Sequence, residues 1–525
     1  MTRGRELAVL ALIVALYALS LGRACSYDFV WDDVPEIAND ASFDRPLGDG
    51  VRLTQTERGA PDLAGLPSLQ FAADSYRPLL YATYWVDIRL WGRDAGALHR
   101  TSVVLGGLAV VMAWLLARRW LGGPLALVPT AVFALHPLQI EAVAYVSGRG
   151  DVLAGLFAMA SAYAALRAAE RVAAGAGRRG AVAWTVGAAL AFALSLLAKE
   201  SCLALPVAAA AVVAMRCGLR RGWWIAAALV AVAVGYLALR AAVVSTVAHP
   251  AFGAGVVGLP GALLEYARVF ALPFDLSIER QARDAYVWIG LAVAVVVIAA
   301  TLWAWRPPVG AASAGVVWAI ALIAPAAIAV RTTGVVADRY AYAPLLGAAI
   351  AVTAACAAAR AGAWRRVAIA AAALWGLMIA AVSWQQVPVW RDMATLYTHA
   401  VDMEPDSASA QYRVAVLDMQ AGNWDDAAAR LARAIELDPR NVDALNNLGV
   451  YALRTGDAAR AKDLLARAVA ANPAHFRSWL NLGLAELALG DRAGGCASIA
   501  RALAIDPGYA AAAAAAASCT GSNRE

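Results

Sequence analysis

Long apolar runs alternate with short basic turns over the first three quarters of the chain. The runs are mostly Ala, Val and Leu, and lengths of about 16–22 residues suit membrane-spanning helices and not the ten-residue strands of a membrane barrel. We therefore predict eleven spans in a membrane domain at 1–384. The predicted spans are 7–22, 98–117, 123–136, 151–167, 181–198, 201–215, 223–239, 286–305, 312–330, 343–359 and 366–384.

The arginines between these runs orient the predicted bundle. Arg3 and Arg5 precede the first run, and further arginines follow the second, fourth, sixth, eighth and tenth. Every second loop is thus basic, which places the N-terminus in the cytoplasm, and an odd number of spans places the C-terminal region outside. We interpret 7–22 as an uncleaved signal-anchor followed by a large outer loop at 23–97.

The sequence pattern changes after the last apolar run, where prolines and glycines recur with a fixed period of 34 residues. The phased positions are Pro405, Pro439, Pro473 and Pro507, with Gly422, Gly456 and Gly490. This period predicts tetratricopeptide repeats, in which each helix pair has an apolar face that only a neighbouring pair covers. We predict a repeat domain at 390–518 and a disordered tail at 519–525. The fold class is therefore all-α, a polytopic membrane helix bundle followed by an α-solenoid.

Composition agrees with this organisation. Of 525 residues, 62% are hydrophobic and only 16% are charged, and the mean hydropathy of +0.60 indicates a membrane protein. The pI of 9.0 reflects arginines placed at membrane turns, so no nucleic-acid partner is expected. The six cysteines show no metal-binding spacing, and Cys496 and Cys519 can pair where their segment faces an oxidising compartment.

Most polar clusters outside the basic turns fall on the predicted outer side. Asp32 and Asp33 follow the first span, and adjacent carboxylates in an extended segment point apart, so only one need face a ligand. One such carboxylate near a wet cavity can take a proton or ligate a divalent metal such as Mg or Mn. Glu141 is the second candidate acid. Lys199 and Arg339 are the candidate phosphate ligands, because Lys offers a point charge and Arg a bidentate fork.

Structural alternatives stand beside each of these assignments. Arg149 and Asp151 can simply pair with each other, and His136 can cap a helix end instead of binding a ligand. Lys199 can be a side chain that extends to the membrane interface, and Arg339 can be an interfacial membrane contact.

Six motifs in chain order carry a family resemblance. They are Phe29-Val30-Trp31-Asp32-Asp33, Tyr76-Arg77-Pro78-Leu79, His136-Pro137-Leu138-Gln139-Ile140-Glu141-Ala142-Val143-Ala144, Gly148-Arg149-Gly150-Asp151, Ala198-Lys199-Glu200-Ser201 and Ala337-Asp338-Arg339-Tyr340. With the repeats that follow, the sequence resembles the transmembrane-and-tetratricopeptide-repeat O-mannosyltransferases, which are multi-span glycosyltransferases of the GT-C class. It departs from them in its short repeat array and in Gln139, where a histidine is usual.

The resemblance implies a site on the outer face of the membrane. The catalytic residues would be Asp32, Asp33 and Glu141, with the choice of base between the two aspartates open and a metal at that pair left as an alternative. The donor-phosphate ligands would be Lys199, Arg339 and Arg149. The supporting residues would be Glu36, Arg77, His136, Asp338 and Tyr340.

The implied activity is inverting transfer of a sugar from a polyprenyl-phosphate donor to a periplasmic protein hydroxyl at a bacterial inner membrane. The repeats would recruit the acceptor through their groove. A lipid-linked or cell-envelope glycan acceptor is one alternative, and a non-catalytic membrane scaffold is the other.

Overall fold

The computed structural model describes residues 2–44, 76–243, 264–278, 280, 310–333, 336–358 and 363–520. Within these ranges the chain is helical and contains no strand, as predicted. It divides into two compact units, one holding the described residues up to Leu396 and the other beginning at Tyr397. The predicted span 286–305 and all but two residues of the predicted tail lie outside the described residues.

The first unit consists of twelve named helices in the described ranges. They are α1 (Arg3–Leu21), α2 (Pro78–Trp91), α3 (Ala95–Leu121), α4 (Leu127–Leu135), α5 (Ile140–Ala144), α6 (Arg149–Ala173), α7 (Arg178–Ala198), α8 (Leu205–Arg216), α9 (Leu219–Val243), α10 (Gly310–Thr333), α11 (Tyr342–Ala358) and α12 (Ala363–Gln386). By length and apolar composition, seven helical segments of the described chain can cross a membrane, or eight if α4 and α5 form one bent span. The count of eleven spans stays a prediction.

Two predicted spans have distinctive shapes. The stretch 201–215 forms a short turn and then α8, whose 12 residues rise only about 18 Å and fall short of a bilayer core of about 30 Å. The run at 123–136 becomes α4, which meets α5 at a bend of 59°. Pro137 favours this break because helical geometry is disfavoured for the residue before a proline, and His136 is extended there.

Small residues let the helices of the first unit approach closely. A Cβ on Gly315 of α10 would lie 2.4 Å from the carbonyl oxygen of Gly347 on α11, so only glycine fits at this crossing. A Cβ on Gly155 of α6 would lie 2.7 Å from the ring of Tyr342. These crossings fix α6, α10 and α11 against one another beneath the polar loops.

The second unit confirms the repeat period. Its helices are α13 (Met393–Met403), α14 (Ala408–Gln420), α15 (Trp424–Leu437), α16 (Val442–Arg454), α17 (Ala458–Ala471), α18 (Phe476–Ala488), α19 (Arg492–Ile505) and α20 (Ala510–Thr520), with α13 beginning in the first unit. Gly422, Gly456 and Gly490 each adopt φ near +85° in the turn inside a helix pair, which explains why glycine recurs there. Cys496 and Cys519 form a disulfide that joins α19 to α20.

Candidate active site

The loop after α1 carries a strained turn at Trp31. Its φ of +52° is the only positive value at a non-glycine residue in the described chain. Such a conformation is costly for a bulky aromatic and persists where surrounding contacts impose it. Here the indole stacks on Tyr145, with ring centroids 5.7 Å apart. The turn sends the next two side chains, Asp32 and Asp33, into different surroundings.

Asp33 is fully buried and serves as an acceptor for the backbone. Its Oδ1 accepts hydrogen bonds from the amide and hydroxyl of Ser147 at 2.7 and 2.6 Å. Its Oδ2 accepts longer bonds from the amides of Val30 and Val146 at 3.4 and 3.3 Å. Burial raises the pKa of Asp33 to about 7 despite these donors. Asp33 thus ties the loop after α1 to the segment before α6.

Asp32 lies half-buried on the other side of the turn. Its Oδ2 accepts a hydrogen bond of 2.7 Å from the Tyr145 hydroxyl. Elsewhere in the described part of the chain no side chain bonds to Asp32, so one carboxylate oxygen is left for a ligand. The two aspartates therefore differ in environment, and Asp32 is the one able to exchange a proton with a bound molecule.

Glu141 and Arg339 form a buried ion pair across almost 200 residues of sequence. Glu141 accepts from the Arg339 guanidinium at one oxygen and from the Arg339 amide, at 2.9 Å, at the other. Both carboxylate oxygens are thereby used, which fixes the position of Arg339. The guanidinium carbon lies 5.5, 5.8 and 5.3 Å from the ring centroids of Trp31, Tyr145 and Tyr340.

Lys199 provides a second cation next to the same aromatic side chain. Its ammonium lies 5.1 Å from the Tyr340 ring centroid and 2.5 Å from a carboxylate oxygen of Asp151. Tyr340 therefore contacts both Arg339 and Lys199. Two cations held beside one ring by fixed carboxylates form an arrangement that suits a phosphate group.

These contacts link residues from four separate segments. Asp32 contacts Tyr145, Tyr145 contacts Arg339, Arg339 pairs with Glu141, and Tyr340 connects Arg339 to Lys199. We call Asp32, Tyr145, Glu141, Lys199, Arg339 and Tyr340 the acid–cation cluster. It lies where α6 begins and α7 ends, so it occupies one end of the helices.

Arg149 holds neighbouring helices together and has no guanidinium nitrogen left to bind a ligand. It is fully buried, pairs with Asp87 at 2.8 Å and donates to Leu98 and Ser102. The alternative pairing of Arg149 with Asp151 is wrong, because Asp151 pairs with Lys199. With all three guanidinium nitrogens already bonded, Arg149 joins α2, α3 and α6.

His136 caps the turn after α4. Its Nδ1 accepts from the Leu138 amide at 3.2 Å, its Nε2 lies 2.9 Å from the Phe270 carbonyl oxygen, and its ring stacks on Phe270. The capping alternative therefore describes its geometry. We assign no ligand to His136.

The other predicted supporting residues hold neighbouring loops in place. Arg77 makes a two-pronged bond with Glu200, at 2.8 and 3.3 Å. Burial opposes ionisation of Glu200, but the charge and N–H groups of Arg77 outweigh it and lower the pKa to about 2. Asp338 pairs with buried Arg280. The amide of Glu36 donates to the Asp32 carbonyl oxygen at 2.9 Å, in the turn that contains Asp32.

The two aspartates do not fit a resident divalent metal. Both oxygens of Asp33 already accept hydrogen bonds from four donors, and a cation needs those lone pairs. Among the residues that the structure describes, no group of three His, Cys, Asp or Glu side chains is placed to hold a metal ion.

Sequence reasoning missed several members of this region. Tyr145 directly follows the motif that ends at Ala144, yet its apolar neighbours gave no sign of a polar role. Pairing of Asp151 with Arg149 was an alternative, and its pairing with Lys199 was not predicted. Trp390 was placed at the start of the repeats, but it is buried in the first unit with its ring 5.5 Å from that of Tyr145. Arg280 had no motif to mark it.

The fold and the site together define a class: a multi-helix membrane protein with a tetratricopeptide-repeat unit. The tetratricopeptide repeat family TPR_16 matches residues 412–461 and 451–510, which confirms the repeats. Two curated relatives are named protein O-mannosyl-transferase TMTC1. The human protein is 31% identical over 157 residues and the mouse protein 33% over 150, covering 28% of this chain in each case.

A third relative, mouse protein O-mannosyl-transferase TMTC4, is 28% identical over 199 residues and 35% of this chain. The aligned parts cover only 16%, 15% and 26% of these three relatives, so the chain matches a small share of each. The resemblance to the transmembrane-and-tetratricopeptide-repeat O-mannosyltransferases is confirmed.

Two solved structures have parts similar to this chain. The first repeat domain of human RPAP3 is 21% identical, with 22% of this chain and 91% of that chain covered and a TM-score of 0.21. Yeast Tom70 is 11% identical, with 71% and 92% covered and a TM-score of 0.24.

Proposed function

We propose that the chain is a membrane glycosyltransferase that moves a sugar from a polyprenyl-phosphate donor to a protein hydroxyl. One observation carries this proposal: the acid–cation cluster joins a half-buried carboxylate with an open oxygen to two fixed cations. Transfer from a sugar phosphate needs that combination, a base for the acceptor and positive charge for the leaving group. The relatives are named protein O-mannosyl-transferases, which supports transfer of a sugar to a protein hydroxyl.

Arg339 and Lys199 would hold the donor phosphate. Their side chains are 16% and 9% exposed, so a phosphate between them would be partly shielded from water, where charge–charge attraction is strongest. Glu141 and Asp151 keep both cations in place, and Tyr340 keeps them beside one another. We therefore assign Glu141 to positioning Arg339 and not to proton transfer.

Asp32 would act as the base. In the proposed step it takes the proton of the acceptor hydroxyl, and the acceptor oxygen forms a bond to the anomeric carbon. The bond from that carbon to the phosphate oxygen breaks, and its electron pair leaves with the phosphate. Attack from the face opposite the phosphate inverts the anomeric configuration. The leaving phosphate is weakly basic, so no general acid is required, unlike in most glycosidases.

The rest of the chain supports an acceptor outside the cytoplasm. The arginine-rich turns follow the positive-inside pattern with the N-terminus in the cytoplasm of a bacterial inner membrane. A disulfide such as Cys496–Cys519 forms and persists in an oxidising compartment such as the periplasm. We propose that the repeats recruit the protein acceptor through their groove. A glycan acceptor would not need them.

The test is transfer of labelled sugar from a polyprenyl-phosphate donor to protein in membranes containing the chain. We expect Asp32→Asn to abolish labelling and Asp28→Asn to retain it. Asp28 is a matched control because its exposed side chain lies four residues away in the same loop. Donor-dependent labelling that is equal in both variants would overturn the assignment of Asp32. Absence of labelling with every polyprenyl donor would overturn the function.

A further inference from the structure

A second polar cluster lies at the opposite end of the first unit. Arg119 and Arg167 both bond to the same carboxylate oxygen of Glu170, and Arg216 donates to the Arg119 carbonyl oxygen at 3.1 Å. We call Arg119, Arg167 and Arg216 the arginine cluster. Asp151, in the acid–cation cluster's vicinity, and Glu170 are 19 residues apart on α6, which is about 29 Å and close to the thickness of a bilayer core.

The arginine cluster has more positive charge than its protein partners neutralise. Among the residues that the structure describes, Arg119 and Arg167 share the carboxylate of Glu170 and Arg216 pairs with none, so two of the three positive charges have no acidic partner there. The Nε atoms of all three are buried and have no hydrogen-bond acceptor in the described ranges. Groups of this kind are costly unless an anion or acceptor meets them.

An apolar crevice opens directly beside this cluster. Its lining residues come from five helices, α3, α6, α8, α10 and α11. They include Leu116, Trp120, Val212, Trp318 and Ile350. Gly315 of α10 and Gly347 of α11, whose backbones lie close together, also line it. No charged side chain lines it among the described residues.

Two features join the crevice to the arginine cluster. The Trp120 ring lines the crevice, and the guanidinium carbon of Arg216 lies 4.2 Å from its ring centroid. On α8, Val212 and Arg216 are four residues apart and so share one helix face. An apolar channel with cations at its mouth matches an amphiphile with an anionic head and a hydrocarbon tail.

We propose that this region binds an anionic phospholipid, with an acyl chain in the crevice and the phosphate against Arg119 and Arg216. Charge complementarity selects the headgroup, since two uncompensated cations attract an anionic lipid and not a zwitterionic one. The inferred site lies in the membrane leaflet opposite the acid–cation cluster. It is therefore separate from the proposed donor site and does not depend on the proposed function.

The test is native mass spectrometry of the full chain, stripped of lipid in detergent and titrated with defined lipids. Cardiolipin and phosphatidylglycerol should form adducts at concentrations where phosphatidylcholine does not. The double variant Arg119→Gln with Arg216→Gln should lower cardiolipin adducts by about tenfold or more. The control pair Arg178→Gln with Arg179→Gln removes two exposed arginines at the same end of the helices and should leave adducts unchanged.

Three outcomes would overturn the proposal. The first is equal binding of phosphatidylcholine and cardiolipin by the unmodified protein, a comparison that needs no variant to fold. The second is equal loss of adducts in both double variants, each checked for a monodisperse elution profile. The third is displacement of cardiolipin by an equal concentration of glycerol phosphate, which would indicate a site for free phosphate without a tail.

Discussion

Replacing Asp32 and Asp33 one at a time should separate chemistry from folding. In Asp32→Asn, the new side-chain carbonyl can still accept from the Tyr145 hydroxyl, and the half-buried position leaves no donor without a partner. The unfolding free energy should therefore change by less than about 1 kcal/mol. The transfer rate should fall by about 10²–10⁴-fold, because an amide cannot take the acceptor proton.

In Asp33→Asn, stability should fall while the transfer rate is retained. The best rotamer keeps the carbonyl on Ser147 and turns the amide NH₂ toward the amides of Val30 and Val146, which lose their acceptor. Two buried donors left unpaired destabilise the fold by about 2–6 kcal/mol. Transfer by the fraction that remains folded should stay close to that of the unmodified chain.

The pH dependence of stability gives a further signature of Asp33. Its pKa is raised to about 7 by burial, so between its ordinary value of 3.8 and 7 the folded protein holds a proton that the unfolded chain releases. The contribution of Asp33 to stability therefore falls as pH rises through this window. Asp33→Asn should remove that slope.

The assays are thermal unfolding of the purified protein in detergent from pH 4 to pH 8, and labelled-sugar transfer in membranes at equal protein levels. The reasoning would be refuted if Asp32→Asn transferred sugar at the unmodified rate. It would also be refuted if Asp33→Asn melted at the unmodified temperature while its transfer rate collapsed, which would make Asp33 the base.

Three other predictions test neighbouring features. Arg339→Lys should raise the KM for the donor by about tenfold while leaving the KM for the acceptor unchanged, since a charged hydrogen bond is lost, and steady-state kinetics checks this. The pKa of Glu200 is lowered to about 2, so its stabilising charge is lost as pH falls from 4.5 through 2. Glu200→Gln should therefore reduce the loss of stability over this range, and acid unfolding monitored by circular dichroism checks it. Cys496→Ser should destabilise the repeat unit by about 3 kcal/mol, since the disulfide closes a loop with a separation of 23 residues, and a reducing agent should lower the melting temperature of the unmodified chain but not of the variant.

The repeats were predictable because their signal is periodic. Prolines and glycines 34 residues apart mark helix ends and turns that depend on local backbone geometry, and the structure places Gly422 and Gly456 in those turns. The membrane helices were predictable in type for a similar reason, because apolar runs of sufficient length have few alternatives in lipid. Their number was harder to predict, since runs such as α8 are apolar yet short.

The candidate site was only partly predictable. Charged residues at membrane ends are conspicuous, so Asp32, Glu141 and Arg339 could be found by type. The residues that pair with them could not be predicted, because helix packing decides whether a charged side chain pairs with a sequence neighbour or with a residue distant in sequence. Arg149 and Asp151 both lie in the first turn of α6, but Arg149 pairs with Asp87 on α2 and Asp151 pairs with Lys199 just after α7.

The division of work between the two aspartates also required the structure. Sequence shows two adjacent carboxylates, and the alternation of side chains indicates only that they diverge. The left-handed turn at Trp31 decides which one faces the amides before α6 and which one remains open. A turn of that kind at a tryptophan is too rare to expect from sequence.

The central claim is that a lipid-linked sugar phosphate binds beside Tyr340, between Arg339 and Lys199, within reach of Asp32. A structure determined by cryo-electron microscopy with a polyprenyl-phosphate sugar bound tests it most directly. We expect phosphate density in contact with both cations, with the sugar's anomeric carbon facing Asp32. Phosphate density bound elsewhere, with Arg339 and Lys199 still paired only to Glu141 and Asp151, would contradict it.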